Sequence, residues 1–260
     1  MPSRMPRLAR FFQLQIPQVF RPAVSSTLAK TIGYLNLEAP AKGLSVLAQW
    51  IRFSRWCRLH PIPRDANGNI ARNREGLYES VVQTTGLDHE KVLYLEFGVY
   101  QGVSLKWWQT RLSNAETRFV GFDTFTGLPE FWRATEPQGA FNAFGKFPDI
   151  KDPRCSFEAG LFQETLGRFI KQSDLSCRVI VNLDADMYTS TLFVLTSLAP
   201  HLKSGDLIFF DEFSCPIDEF RAFDDFVRSF RVEYQVICAV SGYTRVCIRV
   251  LNIADKPSKT

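Results

Sequence analysis

Carboxylates stand at the ends of several short apolar runs, and that placement is the first chemical signal in the chain. Glu96 follows VLYL, Asp123 ends RFVGFD, Asp184 ends RVIVNLD, and Asp211 and Glu212 follow DLIFF. Gly98 and Gly102 bound a turn directly after Glu96. They leave no Cβ where backbone must fold tightly or approach a ligand, and a helix beginning near Val103 points its free amides at the same place. Such a turn can hold a nucleotide-like cofactor. A carboxylate at its mouth repels phosphate and attracts an ammonium or sulfonium group. Asp123 lies about 20 residues past the glycine turn, where a carboxylate can accept hydrogen bonds from the two hydroxyls of a ribose. A turn or helix-capping aspartate is the plainer reading of the same residue.

The elements that would position these groups are legible as alternating strands and helices. Val92 to Leu95 is too short and too continuously apolar for an amphipathic helix, and suits a strand covered on both faces. A helix over Leu105–Leu112 follows, then strands over Arg118–Asp123 and Cys155–Gly160, a helix over Leu161–Ile170 and a strand over Arg178–Asp184. Thr189–Leu202 reads as a helix, Asp206–Asp211 as a strand and Glu219–Phe230 as a helix. If the strands ending at Asp184 and Asp211 are neighbours, about 4.8 Å apart, then Asp184, Asp211 and Glu212 converge at the carboxyl edge of the sheet, where open α/β sheets bind ligands. EYQVICAV and GYTRVCIRV are separated only by Ser241 and Gly242, a spacing that joins antiparallel neighbours. The expected fold is α/β, a mostly parallel sheet closed by a C-terminal antiparallel hairpin.

Four motifs carry a resemblance: VLYLEFGVYQG at 92–102, GFDTFTGLPE at 121–130, LDADMYTST at 183–191 and GDLIFFDEF at 205–213. Together, over roughly Arg74 to Val250, they resemble class I S-adenosylmethionine-dependent methyltransferases, and among these the macrocin O-methyltransferase-like (TylF/MycF) branch. The resemblance implies a Rossmann-like three-layer sandwich that binds S-adenosyl-L-methionine and methylates a hydroxyl of a sugar or other small metabolite. Carried over residue by residue, it nominates Glu96, Phe97, Gly98, Gly102, Ser104, Asp123, Thr124, Glu158, Gly160 and Asp184 for the cofactor. Glu158 and Gly160 would wall the adenine. In the resembled antibiotic-sugar enzymes a carboxylate trio holds magnesium, at positions matching Asp184, Asp211 and Glu212, and Mg²⁺ would orient the acceptor and lower its pKa. Here Glu212 replaces the second of two adjacent aspartates and is one methylene longer. A metal-free arrangement with Asp184 or Asp186 as base stands beside this, as does a bland one in which Asp186 and Glu212 cap helices. His60, His89 and His201 fall at no expected strand terminus.

The segment 124–154 is long for a connection and carries Phe125, Phe131, Trp132, Phe141, Phe144 and Phe147 among glycines and prolines. It reads as an acceptor pocket or lid, with Gly127–Trp132 and Gly139–Gly145 comparable to elements of the resembled family. His60–Asn73 reads as a loop, either a lid or a connector, and Leu44–Leu59 as an amphipathic helix. Domain boundaries are set at 1–73 for a basic, partly helical extension and loop, 74–251 for the methyltransferase domain and 252–260 for a disordered polar tail.

Composition narrows the remaining choices. A formal charge of +4 with no basic run interleaved with aromatics gives no argument for nucleic acid. The 23 phenylalanines imply a densely aromatic core or cavity. Six cysteines form no CxxC pair and read as reduced thiols, and no apolar run reaches the ~18 residues of a membrane span, so a cytoplasmic protein is expected. Residues 1–37 hold five basic and no acidic side chains, and are expected to pack on the core or on a second copy in a homo-oligomer. Two other functions stay open. One is a nicotinamide-dependent oxidoreductase, although GVYQG lacks the GxGxxG spacing. The other is a non-catalytic binding or assembly protein that keeps the fold.

Overall fold

The computed structural model describes residues 38–65 and 68–253, so the expectations for 1–37 and for the tail beyond Ile253 lie outside the described residues. The chain divides into units 1–48 and 49–260. Of the first, the described residues are the opening turns of helix α1 (Glu38–Leu59). The second contains α2 (Arg74–Thr85), β1 (Val92–Phe97), α3 (Val103–Arg111), β2 (Arg118–Asp123), β3 (Cys155–Ala159), α4 (Phe162–Gln172) and β4 (Arg178–Leu183). It continues with α5 (Tyr188–Leu198), β5 (Leu207–Phe210), α6 (Glu219–Ser229), β6 (Val232–Ala239) and β7 (Val246–Ile253).

The strands form one sheet in the order β3-β2-β1-β4-β5-β7-β6. All pairs are parallel except those made by β7, which runs antiparallel to β5 and β6. The mostly parallel sheet with an antiparallel closing pair is thus as the sequence predicts. The hairpin differs in detail. Its connection is Val240–Arg245, longer than the two residues expected, because Gly242 (φ 74°) and Tyr243 (φ 56°) take left-handed conformations and turn the chain before β7 can start. β7 also continues through Asn252 and Ile253, past the expected domain end.

Period-two alternation explains the two layers around the sheet. Val92 and Tyr94 pack with Leu77, Tyr78 and Val81 of α2 and Leu105 and Trp108 of α3. Leu93, Leu95 and Phe97 pack on the opposite face with Leu166 and Phe169 of α4, Val194 of α5 and Phe223 of α6. Much of the phenylalanine complement is spent on this second layer, where Phe213, Phe220 and Phe223 surround Trp56. Helix α2 is capped at both ends: Asn73 accepts from the Gly76 amide at 2.8 Å, and Gly86 (φ 70°) ends the helix. The six cysteines are free. No helix among the described residues is long and apolar enough to cross a membrane.

Candidate active site

Strand order reverses between β1 and β4, and register there determines what meets at the sheet edge. Phe97 pairs with Leu183 and Leu183 with Phe210, so Gly98, Asp184 and Asp211 leave neighbouring strand ends side by side. They border a cavity of about 770 Å³, within the size range of a cofactor and small-substrate site. Gly98, Ser104, Asp123, Thr124, Asp184, Asp186, Asp211 and Glu212 all line it, so most of the nominated residues face one space.

Several do not. Glu96 is wholly buried. Alternation puts it on the α2–α3 face with Val92 and Tyr94, where it accepts from Tyr94 Oη at 2.6 Å and Ser104 Oγ at 2.7 Å. Burial raises its pKa to about 7. The expected position at the cavity mouth is therefore corrected, and Ser104 is what stands between Glu96 and the cavity. Phe97 stacks on Phe122 in the opposite layer, at 4.7 Å between ring centroids. Gly102 (φ 71°) is not among the cavity-lining residues, and a Cβ there would meet the Pro148 ring at 2.8 Å. Glu158 is engaged by Arg168 at 2.8 Å. Gly160 borders an adjoining cavity, and Leu161 to Glu164, just past it, line the main one.

Asp123 is committed to backbone. Its Oδ2 accepts from the Val99 and Tyr100 amides at 2.7 and 2.8 Å, and its Oδ1 accepts from the Phe125 amide at 2.7 Å. Tyr100 (φ 48°) and Phe125 (φ 56°) are both left-handed, a conformation that costs a side-chain-bearing residue about 1–2 kcal/mol. One carboxylate thus fastens two strained turns and still faces the cavity. The turn reading of Asp123 holds, and its side chain also lines the cavity.

At the tips of β4 and β5, sequence reasoning missed two arginines. Arg74, the first residue of α2, donates through Nη2 to Asp184 Oδ2 at 3.1 Å and to Asp211 Oδ2. Arg245 donates through Nε to Asp211 Oδ1 at 2.6 Å and through Nη2 to Oδ2 at 3.3 Å. Burial opposes the charge on Arg74, but Asp184 and Asp211 outweigh it and lift its pKa above the ordinary arginine range. Burial and the neighbouring Asp211 push Asp184 upward, and Arg74 pulls it back. The signal for Arg245 was available in principle: once β7 lies beside β5, the pairing of Phe210 with Val246 sets Arg245 opposite Asp211. Arg74 had no such signal, since nothing local ties the start of α2 to these strand tips.

Asp186 and Glu212 differ from this pair. Both line the cavity, and no side chain among the described residues donates to either carboxylate. Asp186 holds a left-handed conformation (φ 58°) and is 9% exposed. Burial, then the charge of Glu212, raises its pKa to about 7. Glu212 is also raised, by burial and then by Asp211, and its amide donates to the buried Glu219 at 2.9 Å. Among the described residues no three His, Cys, Asp or Glu side chains are grouped so as to hold a metal ion. One side of the cavity comes from the long segment 124–154. Trp132 donates to Asp218 at 3.1 Å, Glu130 accepts from Thr189 at 2.7 Å, and Arg133 lies over the Trp132 ring.

The macrocin-O-methyltransferase (TylF) family matches residues 133–241. The calicheamicin methyltransferase CalS11 is similar in structure, with a TM-score of 0.51 at 21% identity, covering 78% of this chain and 91% of that one. An O-methyltransferase from Bacillus cereus in complex with SAH covers 80% of this chain and 91% of its own, at 16% identity and a TM-score of 0.47. CmcI with Mg and SAM covers 76% and 84%, at 15% identity and a TM-score of 0.48. No curated protein matches the chain in sequence. CalS11, at its identity, speaks for the fold alone, and the family match spans residues 133–241, which include Asp184, Asp186, Asp211 and Glu212.

Proposed function

We propose that this chain, an S-adenosylmethionine-dependent methyltransferase similar to the macrocin O-methyltransferases, methylates a hydroxyl of a sugar or other small metabolite. The observation that carries the reading is a single cavity shared by the β1–α3 turn, the Asp123 carboxylate and the acids at the tips of β4 and β5. Acid groups line the cavity, and of the three arginines that also line it, Arg74 and Arg245 are paired to Asp184 and Asp211, which offsets their repulsion of a sulfonium. When bound, S-adenosylmethionine would supply an electrophilic methyl carbon, with a neutral thioether as its leaving group.

This chain's own part is to hold the acceptor in line and to remove its proton. Asp186 is the group we assign as base, because it faces the cavity without a donor of its own, whereas Asp184 is held by Arg74. It takes the hydroxyl proton as the oxygen attacks, and Glu212 beside it favours the protonated product of that step. Segment 124–154 closes the acceptor side, so Trp132, Arg133 and Phe141 are the residues we assign to acceptor selection.

For Mg²⁺ the fit fails as the side chains stand. Asp184 and Asp211, two members of the expected trio, are donor-paired to arginine, and no step is assigned to a metal.

Calorimetry with S-adenosylhomocysteine tests the cofactor assignment. A dissociation constant of about 1–100 μM is expected, and absence of binding by the intact protein overturns the proposal. Transfer of labelled methyl to a panel of glycosides and small phenols then tests the acceptor class.

A further inference from the structure

Two cations already sit where the family resemblance would place magnesium. Asp184 and Asp211 bring two negative charges to the tips of β4 and β5, and Arg74 and Arg245 bring two positive charges to the same oxygens. Both oxygens of Asp211 accept from guanidinium, and that side chain is only 7% exposed. A divalent ion binding there needs free carboxylate lone pairs at about 2.0–2.1 Å in octahedral array, and a net negative site to repay its dehydration. Neither is left.

The arginines are held in place by secondary structure. Arg74 opens α2, whose start is fixed by the Asn73 cap. A cation at a helix N-terminus is opposed by the macrodipole, so the position is explained by the acids it meets. Arg245 immediately precedes β7 and faces Asp211 through the β5–β7 register. Both line the cavity. Arg74 spends only Nη2 on the carboxylates, and its Nε and Nη1 donate to no described residue.

We infer, resting on the methyltransferase reading, that the Arg74 and Arg245 guanidinium groups replace the divalent cation, so that the acceptor is oriented by charge-assisted hydrogen bonds from arginine. In this arrangement the free donors of Arg74 reach an acceptor oxygen and stabilise the negative charge that develops as its proton leaves. Arg74 is the group that touches the acceptor. Arg245 acts through Asp211 and is a positioning residue.

Titration of the full-length protein with Mn²⁺, followed by water-proton relaxation, tests the assignment without any acceptor. The wild type is expected to bind Mn²⁺ no tighter than about 1 mM. The Arg74→Gln/Arg245→Gln double variant, with its carboxylates released, is expected to bind at least about tenfold tighter. Arg74→Lys alone retains the charge and is expected to behave as wild type, which a purely structural role of the arginine would not predict. Micromolar Mn²⁺ binding by the wild type overturns the inference, and so does a folded double variant that binds no tighter than wild type. Circular dichroism establishes folding. If the double variant does not fold, Arg74→Gln alone is judged by the same comparison. S-adenosylhomocysteine calorimetry on the same samples reads the cofactor assignment separately, so a failure there is distinguishable from a failure of the arginine clamp.

Discussion

The sheet edge has two halves that use the same residue type in opposite ways. At β1 and β2, Glu96 and Asp123 are satisfied by neutral donors, namely the Tyr94 and Ser104 hydroxyls for one and three backbone amides for the other. At β4 and β5, Asp184 and Asp211 are satisfied by guanidinium. On the proposed reading the first half, with no cation on its acids, faces the cationic sulfur donor through Asp123, and the second, offset by arginine, presents N–H groups to the acceptor. A carboxylate at a strand tip consequently says little about function until its donors are known.

Gly98 is the seam between the halves, and its replacement should have the largest effect. At φ 90°, a Cβ would lie 1.9 Å from the Asp184 carbonyl oxygen, so the residue serves the close approach of β1 to β4 before it serves any ligand. Gly98→Val is expected to lose more than about 4 kcal/mol of stability and to fail to fold at ordinary temperature. A soluble variant with an unchanged denaturant midpoint and weakened S-adenosylhomocysteine binding would instead give that glycine to the cofactor alone.

That example also shows what can be read from the chain. Strand ends are legible because an apolar run stopping at a carboxylate is a local pattern, and β1, β2, β4 and β5 lie where the runs put them. Direction within the pleat was less visible. Glu96 and Phe97 point to opposite faces of a sheet covered on both sides, and only the two packed layers reveal which side chains reach the edge. The arginine pair was invisible for a different reason: Arg74 and Arg245 lie at opposite ends of the fold's sequence, in a helix start and a turn, and their convergence is a product of topology.

A pH titration of stability sharpens the comparison on the β1 side. The Glu96 pKa is raised from 4.5 to about 7 by burial, so the folded state binds its proton more tightly than the unfolded one. Its contribution is fully present below pH 4.5 and is lost as pH rises through 7, a change of about 3 kcal/mol. Glu96→Gln, whose amide can donate to one of the two hydroxyls, should remove that slope and leave the variant the more stable form at pH 8. Chemical denaturation of both proteins at several pH values checks it. A slope unchanged in the variant would mean that another group carries the effect and that burial does not hold a proton on Glu96.

A smaller effect is expected at Asp123, and it discriminates between the two readings of that residue. Asp123→Ala removes the acceptor of three amides, one of them belonging to the wholly buried Phe125. The Val99 and Tyr100 amides can turn to cavity water, so the loss falls short of three full charge-assisted bonds and should be about 2 kcal/mol. Asp123→Asn keeps one acceptor oxygen. It can serve either the β1 turn or Phe125, so about half that loss is expected. If Asp123 did nothing beyond holding the turns, cofactor affinity would fall in step with stability across the two variants. If it also meets the ribose hydroxyls, Asp123→Asn should lose more than about tenfold in S-adenosylhomocysteine affinity while keeping most of its stability, because the carboxylate's second function is lost before its first. Calorimetry and urea denaturation on the same pair of variants separate these outcomes. The β1–β2 half is a cofactor site as well as a scaffold only if the two measurements diverge.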